Sequence, residues 1–340
     1  MSREMLILGG AGFIGVNAAQ TFAGQGWRVT VLDNLSRKGA QSNLDWLRQR
    51  HNVGFVKADI RDRAALEQTF GARKYDAVLH LAAQVAVTTS VVDPREDFEI
   101  NALGTLNVLE AARQHCPLAS LVFASTNKVY GKLEDLTVVE RDGRYAYAGS
   151  TQGVGEAQQL DFHSPYGCSK GAADQYIVDY ARIYGMNTTS FRQSCIYGPR
   201  QFGVEDQGWV AWFAIAVLLG KKLTIYGDGK QVRDVLHVDD LIRAYALAID
   251  NPAQVRGQAF NVGGGPGKTL SLLELIALLE KRLGRAIAPE FGDWRAGDQK
   301  VYVSDISRIS QALGWTPRIA TADGVGKLID WVTENRTLFA

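Results

Sequence analysis

Short apolar runs alternate with stretches of helical periodicity through the first half of the chain. Residues 5–8, Met-Leu-Ile-Leu, are apolar without interruption and read as a buried strand that passes straight into glycines. A helix over 13–25, a strand over 27–32, a helix over 43–50 and a strand over 53–58 follow. The alternation continues with a helix from about Asp62, a strand over 77–81, a long helix over 93–115 and a strand over 120–124. Such alternation predicts an α/β fold with a Rossmann-type, doubly wound parallel sheet.

Residues 132–163 are a long polar connection of the kind that forms a lid or binding loop. A helix over 166–184 and a strand over 187–192 come next, after which the pattern loosens. Helices over 207–219, 239–249 and 271–283, with strands over 223–226 and 259–262, predict a smaller mixed α/β lobe. The expected division is a nucleotide-binding domain over 1–192 and a mainly substrate-binding lobe over 193–340, with an interwoven boundary.

Composition narrows the functional classes. Lys and Arg total 37 against 36 Asp and Glu, a balance without the basic footprint of a nucleic-acid or acidic-membrane binder. Cys116, Cys168 and Cys195 are scattered and odd in number, which fits a reducing compartment and no clustered metal site. The most apolar run, 210–219, is too short to span a bilayer, and the N-terminus has no cleavable signal pattern. A cytoplasmic protein acting on a small molecule is expected.

The chemistry begins at Gly9-Gly10-Ala11-Gly12-Phe13-Ile14-Gly15. Glycines at 9, 12 and 15 between a strand and a helix allow a tight turn and the close approach of a pyrophosphate to free helix N–H groups. Asp33 ends the second strand, where a carboxylate bonds an adenosine ribose and repels a 2′-phosphate, so the expected cofactor is NAD. Asn34, Ser36 and Arg37 follow it, although Arg37 and Lys38 could also attract a phosphate. Asp59 and Ile60 close the third strand where an adenine would lie, and Asp59 could equally cap the next helix. Leu81, Ala82 and Ala83 follow the fourth strand, with Asn101 on the helix beyond.

Tyr166 and Lys170 stand at i and i+4 after Ser164-Pro165, which suit a helix start, so they share one face. A cation beside a phenol favours its ionised form and equips it for proton transfer. Thr126, at the end of the fifth strand, is placed to meet a substrate oxygen. Arg233 and Arg295 offer paired donors suited to a nucleotide diphosphate. Gln84, Thr88, Asn127, His163, Cys195 and Gln207 complete the expected substrate-binding set.

The glycine motif, Asp33, Ser125-Thr126 and the Tyr166/Lys170 pair together resemble the extended short-chain dehydrogenase/reductase superfamily, the NAD-dependent epimerases and dehydratases. Residues 233–240 and 295–298 resemble its C-terminal motifs, so the likeness covers nearly the whole chain. It implies Tyr166 as acid/base, Lys170 as the group that lowers its pKa and holds the nicotinamide ribose, and Thr126 as a partner in proton transfer. Dehydratases place Asp-Glu after the Thr, whereas Asn127-Lys128 stand here and lack the acid and base for expelling water. Cys195 replaces the usual Asn of the Arg-x-x-Asn segment.

Residues 34–40, 125–131, 160–176, 200–202 and 206–210 are similar to the branch formed by the CDP-tyvelose 2-epimerases. That resemblance implies inversion at C2 of a CDP-linked 3,6-dideoxyhexose, tightly held NAD, and a homodimer or homotetramer. Two alternatives are a UDP-sugar 4-epimerase, which would use the same machinery at another carbon, and a non-catalytic dinucleotide-sensing protein, against which an intact Thr126, Tyr166 and Lys170 set speaks.

Overall fold

The computed structural model describes residues 2–149, 152–295 and 298–339. Its framework is a 7-stranded sheet in which every pairing is parallel. Strands β1 (Glu4–Leu8), β2 (Arg28–Asp33), β3 (Gly54–Lys57), β4 (Ala77–His80) and β5 (Ser120–Thr126) match the predicted runs closely. From one edge the order is Ala259–Val262, Asn187–Gln193, β5, β4, β1, β2, β3. Chain order reverses between β1 and β4, and ligands of such sheets bind beyond the strand ends at that point.

Both faces of the sheet's centre are covered, which is why β1 and β4 there read as nearly continuous apolar runs. Met5 and Ile7 pack with Val16, Ala19 and Phe22 on one face. Leu6 and Leu8 pack with Leu66, Val108 and Leu109 on the other. Ala259–Val262 and the Val238–Asp250 helix lie beyond residue 192, yet the strand extends this sheet and the helix packs in its core.

Three departures from the sequence reading have physical causes. The helix predicted over 93–115 is Pro94–Phe98, a π-helical turn Glu99–Leu103, and Gly104–His115. The Asn101 side chain is committed to bonds with the loop after β4 and with Ser169, contacts that helical periodicity cannot encode. Val87–Val92 is a helix despite its β-branched residues, so tertiary packing overrides propensity there. The polar connection 132–163 contains a hairpin, Val138–Arg141 with Arg144–Tyr147. Tyr147 and Val154 pack with Tyr130, Val232 and Tyr302, docking this connection on the C-terminal lobe.

The C-terminal lobe is built around Val232–His237, read from sequence only as a motif. It runs parallel to Cys195–Tyr197 and Val301–Tyr302 and antiparallel to Thr269–Ser271. Successive side chains of a strand point to opposite faces. Asp234 accordingly bonds Ser194 and the Gly265 N–H, while Arg233 faces the cleft. The Leu272–Leu283 helix starts with a reciprocal capping box between Ser271 and Glu274.

Candidate active site

A cavity of about 590 Å³ runs from the ends of β1 and β2 across to the C-terminal lobe. Its first part is the turn after β1 and the N-terminus of helix α1 (Phe13–Gly24). Gly9 has φ 76°, and a Cβ on it would lie 2.6 Å from the Ala82 nitrogen. A Cβ on Gly15 would lie 2.3 Å from the Gly9 carbonyl oxygen, so the glycine there lets the helix sit directly on the turn. The helix N-cap is Gly12, with no side chain bonded to the first-turn N–H groups. Asp33 accepts from the Ala11 N–H at 3.0 Å and the Leu35 N–H at 2.8 Å. Burial pushes its pKa up, against those backbone bonds.

This donor set fits a dinucleotide: an uncapped helix N-terminus for the diphosphate and a fixed carboxylate for a ribose. Phe13, Ile14, Ser36, Ile60, Leu81, Ala82 and Ala83 line the same cavity. Asn34 donates to Asp59 at 2.8 Å, and both line it as well. Asp59 bonds Arg61, which holds its carboxyl down at about 2. Asp62, not Asp59, caps the next helix, accepting from the Ala65 N–H at 3.0 Å.

The Ser164–Tyr184 helix brings Tyr166 and Lys170 to the cavity. The hydroxyl of Ser164 accepts from the Gly167 N–H at 3.2 Å, doing the capping work expected of it. Tyr166 and Thr126 line the same cavity, and burial pushes the phenol's pKa up to about 12. Thr126 and the Arg37 guanidinium act in the opposite direction. The expectation that Lys170 lowers the phenol's pKa is revised for the chain alone. Although helical spacing puts the two on one face, the ammonium donates to the Ala124 carbonyl at 2.6 Å and lies 4.0 Å over the Phe123 ring. Burial pushes its pKa down to about 7.

The cavity continues to the C-terminal lobe, where polar groups and aromatic rings both line it. Thr88, Asn127, Cys195, Gln207, Arg233 and Arg295 line it as expected. Arg233 pairs with Asp298 at 3.2 Å and Arg295 with Asp206 at 3.0 Å. The Cys195 thiol accepts from Trp209 Nε1 at 3.4 Å, and burial pushes its pKa up, which makes it a neutral wall and not a nucleophile.

Three expected contacts fall outside the lining. The Gln84 amide bonds Ala86 and Asp97, and the Asn101 amide bonds Gln84, Asp97 and Ser169, so both are buried braces behind the site. His163 pairs with Asp161 at 2.8 Å. The sequence reading passed over Lys128, Trp209 and Tyr226 as binding groups, although all three line the cavity. Lys128 carried a signal, a cation directly after the Thr126 strand end; nothing in the local pattern marked the aromatics.

The chain belongs to the NAD dependent epimerase/dehydratase family, whose model matches residues 5–263. Among its relatives, a CDP-paratose 2-epimerase of Salmonella typhi is 49% identical over 97% of this chain and 99% of its own length. A UDP-glucose 4-epimerase structure from Thermotoga maritima superposes with TM-score 0.84 at 30% identity, covering 98% of this chain and 99% of that one. The Thermus thermophilus UDP-glucose 4-epimerase complex with NAD gives 0.80 at 34% identity, over 96% and 98%.

Proposed function

We propose that the chain interconverts CDP-paratose and CDP-tyvelose by inverting C2 of the CDP-linked 3,6-dideoxyhexose, in an NAD-dependent reaction. The observation that carries this is a single cavity that brings together Thr126, Tyr166, the uncapped N-terminus of α1 and the two C-terminal arginines. The 49% identity to a CDP-paratose 2-epimerase supports the choice of sugar and nucleotide.

The C2 hydrogen of such a sugar has no neighbouring carbonyl, so direct deprotonation would leave an unstabilised carbanion. NAD, when bound, supplies a hydride acceptor that carries positive charge and returns the hydride afterwards. Gly12, Phe13 and Ile14 would hold its diphosphate and Asp33 a ribose. Tyr166 in its ionised form, which the positive charge of a bound cofactor would favour, takes the C2 hydroxyl proton, directly or through Thr126, and gives it back after the 2-keto sugar has turned its other face. Arg233 and Arg295 keep the diphosphate anchored during that turn. Asn127 and Lys128 provide no acid and base pair for eliminating water.

No helix among the described residues is long and apolar enough to cross a membrane. Free Cys116, Cys168 and Cys195 support a cytoplasmic location. Exposed Tyr176, Ile183 and Tyr184 on the Ser164–Tyr184 helix, with exposed Phe98 at the end of the Pro94–Phe98 helix and Leu103 at the end of the π-helical turn, support a homodimer or homotetramer.

Incubation with CDP-paratose, CDP-tyvelose and UDP-glucose, with products resolved by NMR, tests the assignment. Interconversion of the two CDP-sugars is expected, without solvent deuterium at C2 in heavy water. Turnover of UDP-glucose alone, or deuterium at C2, would sink it. Tyr166→Phe should abolish turnover while NAD still binds.

A further inference from the structure

We propose that Asp97 is a positioning residue for the Tyr166 and Lys170 pair, the counter-charge that holds the Lys170 side chain in its ammonium form. This rests on the reading of Tyr166 and Lys170 as the proton-transfer pair.

Asp97 is 1% exposed and lies in the Pro94–Phe98 turn, just before the π-helical turn. One carboxylate oxygen accepts from Gln84 Nε2 at 2.9 Å and from Asn101 Nδ2 at 3.1 Å. The other accepts from Ser169 Oγ at 2.5 Å. All three donors are neutral, so the bonds orient the carboxylate without cancelling its charge. Burial pushes the Asp97 pKa up, opposed by its bonds from Ser169 and Gln84 and then by the Lys170 charge. A carboxylate buried in this way is costly unless a cation stands close by.

Ser169 directly precedes Lys170 on the helix, and its hydroxyl also bonds the Tyr166 carbonyl at 3.2 Å, which ties Asp97 to the turn joining the pair. Lys170 is 2% exposed. Its ammonium contacts the Ala124 carbonyl and the Phe123 ring of β5. Asp174 of its own helix, then Asp97 of the Pro94–Phe98 turn, and the buried neutral His80 of β4 act on it through space, without an ion pair. Asp174 is already bound by Arg192, through Nη2 at 2.8 Å and Nε at 3.3 Å. Arg192, Asp174, Lys170 and Asp97 thus form an interior series of alternating charge that balances only with Asp97 ionised. Tyr166 faces Thr126, Arg37 and the same Asp97. Loss of the Asp97 charge therefore makes both the ammonium and the phenol give up their protons at lower pH.

Lysine labelled with carbon-13 at Cε reads this directly by NMR, the Lys170 signal being the one missing from Lys170→Met. In the parent its titration midpoint is expected at about 7. In Asp97→Asn it should fall by about 1 pH unit, and in Ser169→Ala, which keeps the charge, it should stay near the parent value. Both limbs of the kcat profile should move acidward in Asp97→Asn. If Asp97→Asn melts lower but leaves the Lys170 midpoint unmoved, or if Ser169→Ala shifts it equally, Asp97 is only a packing group and the proposal falls. Should Asp97→Asn not fold, the Asp97→Ala, Ser169→Ala double variant carries the same titration with the same two outcomes. Absence of CDP-sugar turnover would overturn the proposed reaction and still leave the NMR arm decisive.

Discussion

Arg37, on the loop after β2, donates to the Gln207 side-chain oxygen at 2.6 Å across the cleft. The sequence reading put the first beside the cofactor and the second beside the sugar, yet they meet and close the cavity's side together. Arg37→Ala and Gln207→Ala should each raise KM for the CDP-sugar, by about tenfold. The double variant should be no worse than the worse single one, because both lose the same bond. Additive losses in a steady-state double-mutant cycle would mean that the two act separately.

Lys128 lies within electrostatic reach of Arg233, Asp298 and Cys195, with its ammonium 3.4 Å from Gln299. Two cations share one carboxylate there, a surplus suited to an anionic substrate. Lys128→Gln should raise KM by about tenfold and leave kcat within about twofold. A loss confined to kcat would place Lys128 at the reacting carbon instead.

Lys170 makes stability pH-dependent. Folded, it releases its proton near about 7, whereas its ordinary value is 10.5. Between those values the unfolded chain binds more protons, so the stability contributed through this group rises as pH climbs from about 7 towards 10.5. Melting temperatures at about pH 7 and pH 9 should show the parent gaining on Lys170→Met. A constant difference between the two would refute the depressed value.

The Arg192–Asp174 pair, 5% and 0% exposed, joins the Asn187–Gln193 strand to the helix that carries Tyr166. Arg192→Met leaves a buried carboxylate unpaired and should cost about 3–5 kcal/mol. Arg192→Met with Asp174→Leu should cost markedly less in denaturant unfolding, since no lone charge then remains. Equal losses in the two would show that packing, and not the orphaned charge, dominates.

The parallel sheet was legible because β1, β2, β4 and β5 each carry a short apolar run and alternate with segments of helical periodicity. Gly9, Gly12, Gly15 and Asp33 were legible because a phosphate turn needs those types at that spacing. The Gln84 and Asn101 amides meet a need that no local pattern shows, the buried carboxylate of Asp97. The π-helical turn that carries Asn101 leaves no periodic trace that distinguishes it from a helix.

By itself the sequence determined the alternation of elements, the nucleotide turn and the i, i+4 placement of Tyr166 and Lys170, all of which depend on local spacing and residue type. The tertiary structure alone decided that the Lys170 ammonium turns to the Ala124 carbonyl, that Arg37 meets Gln207 across the cleft, and that Asp97 is bonded to Ser169 beside Lys170. Such charge relationships depend on burial and on distances between segments far apart in the chain, and local pattern carries no record of either.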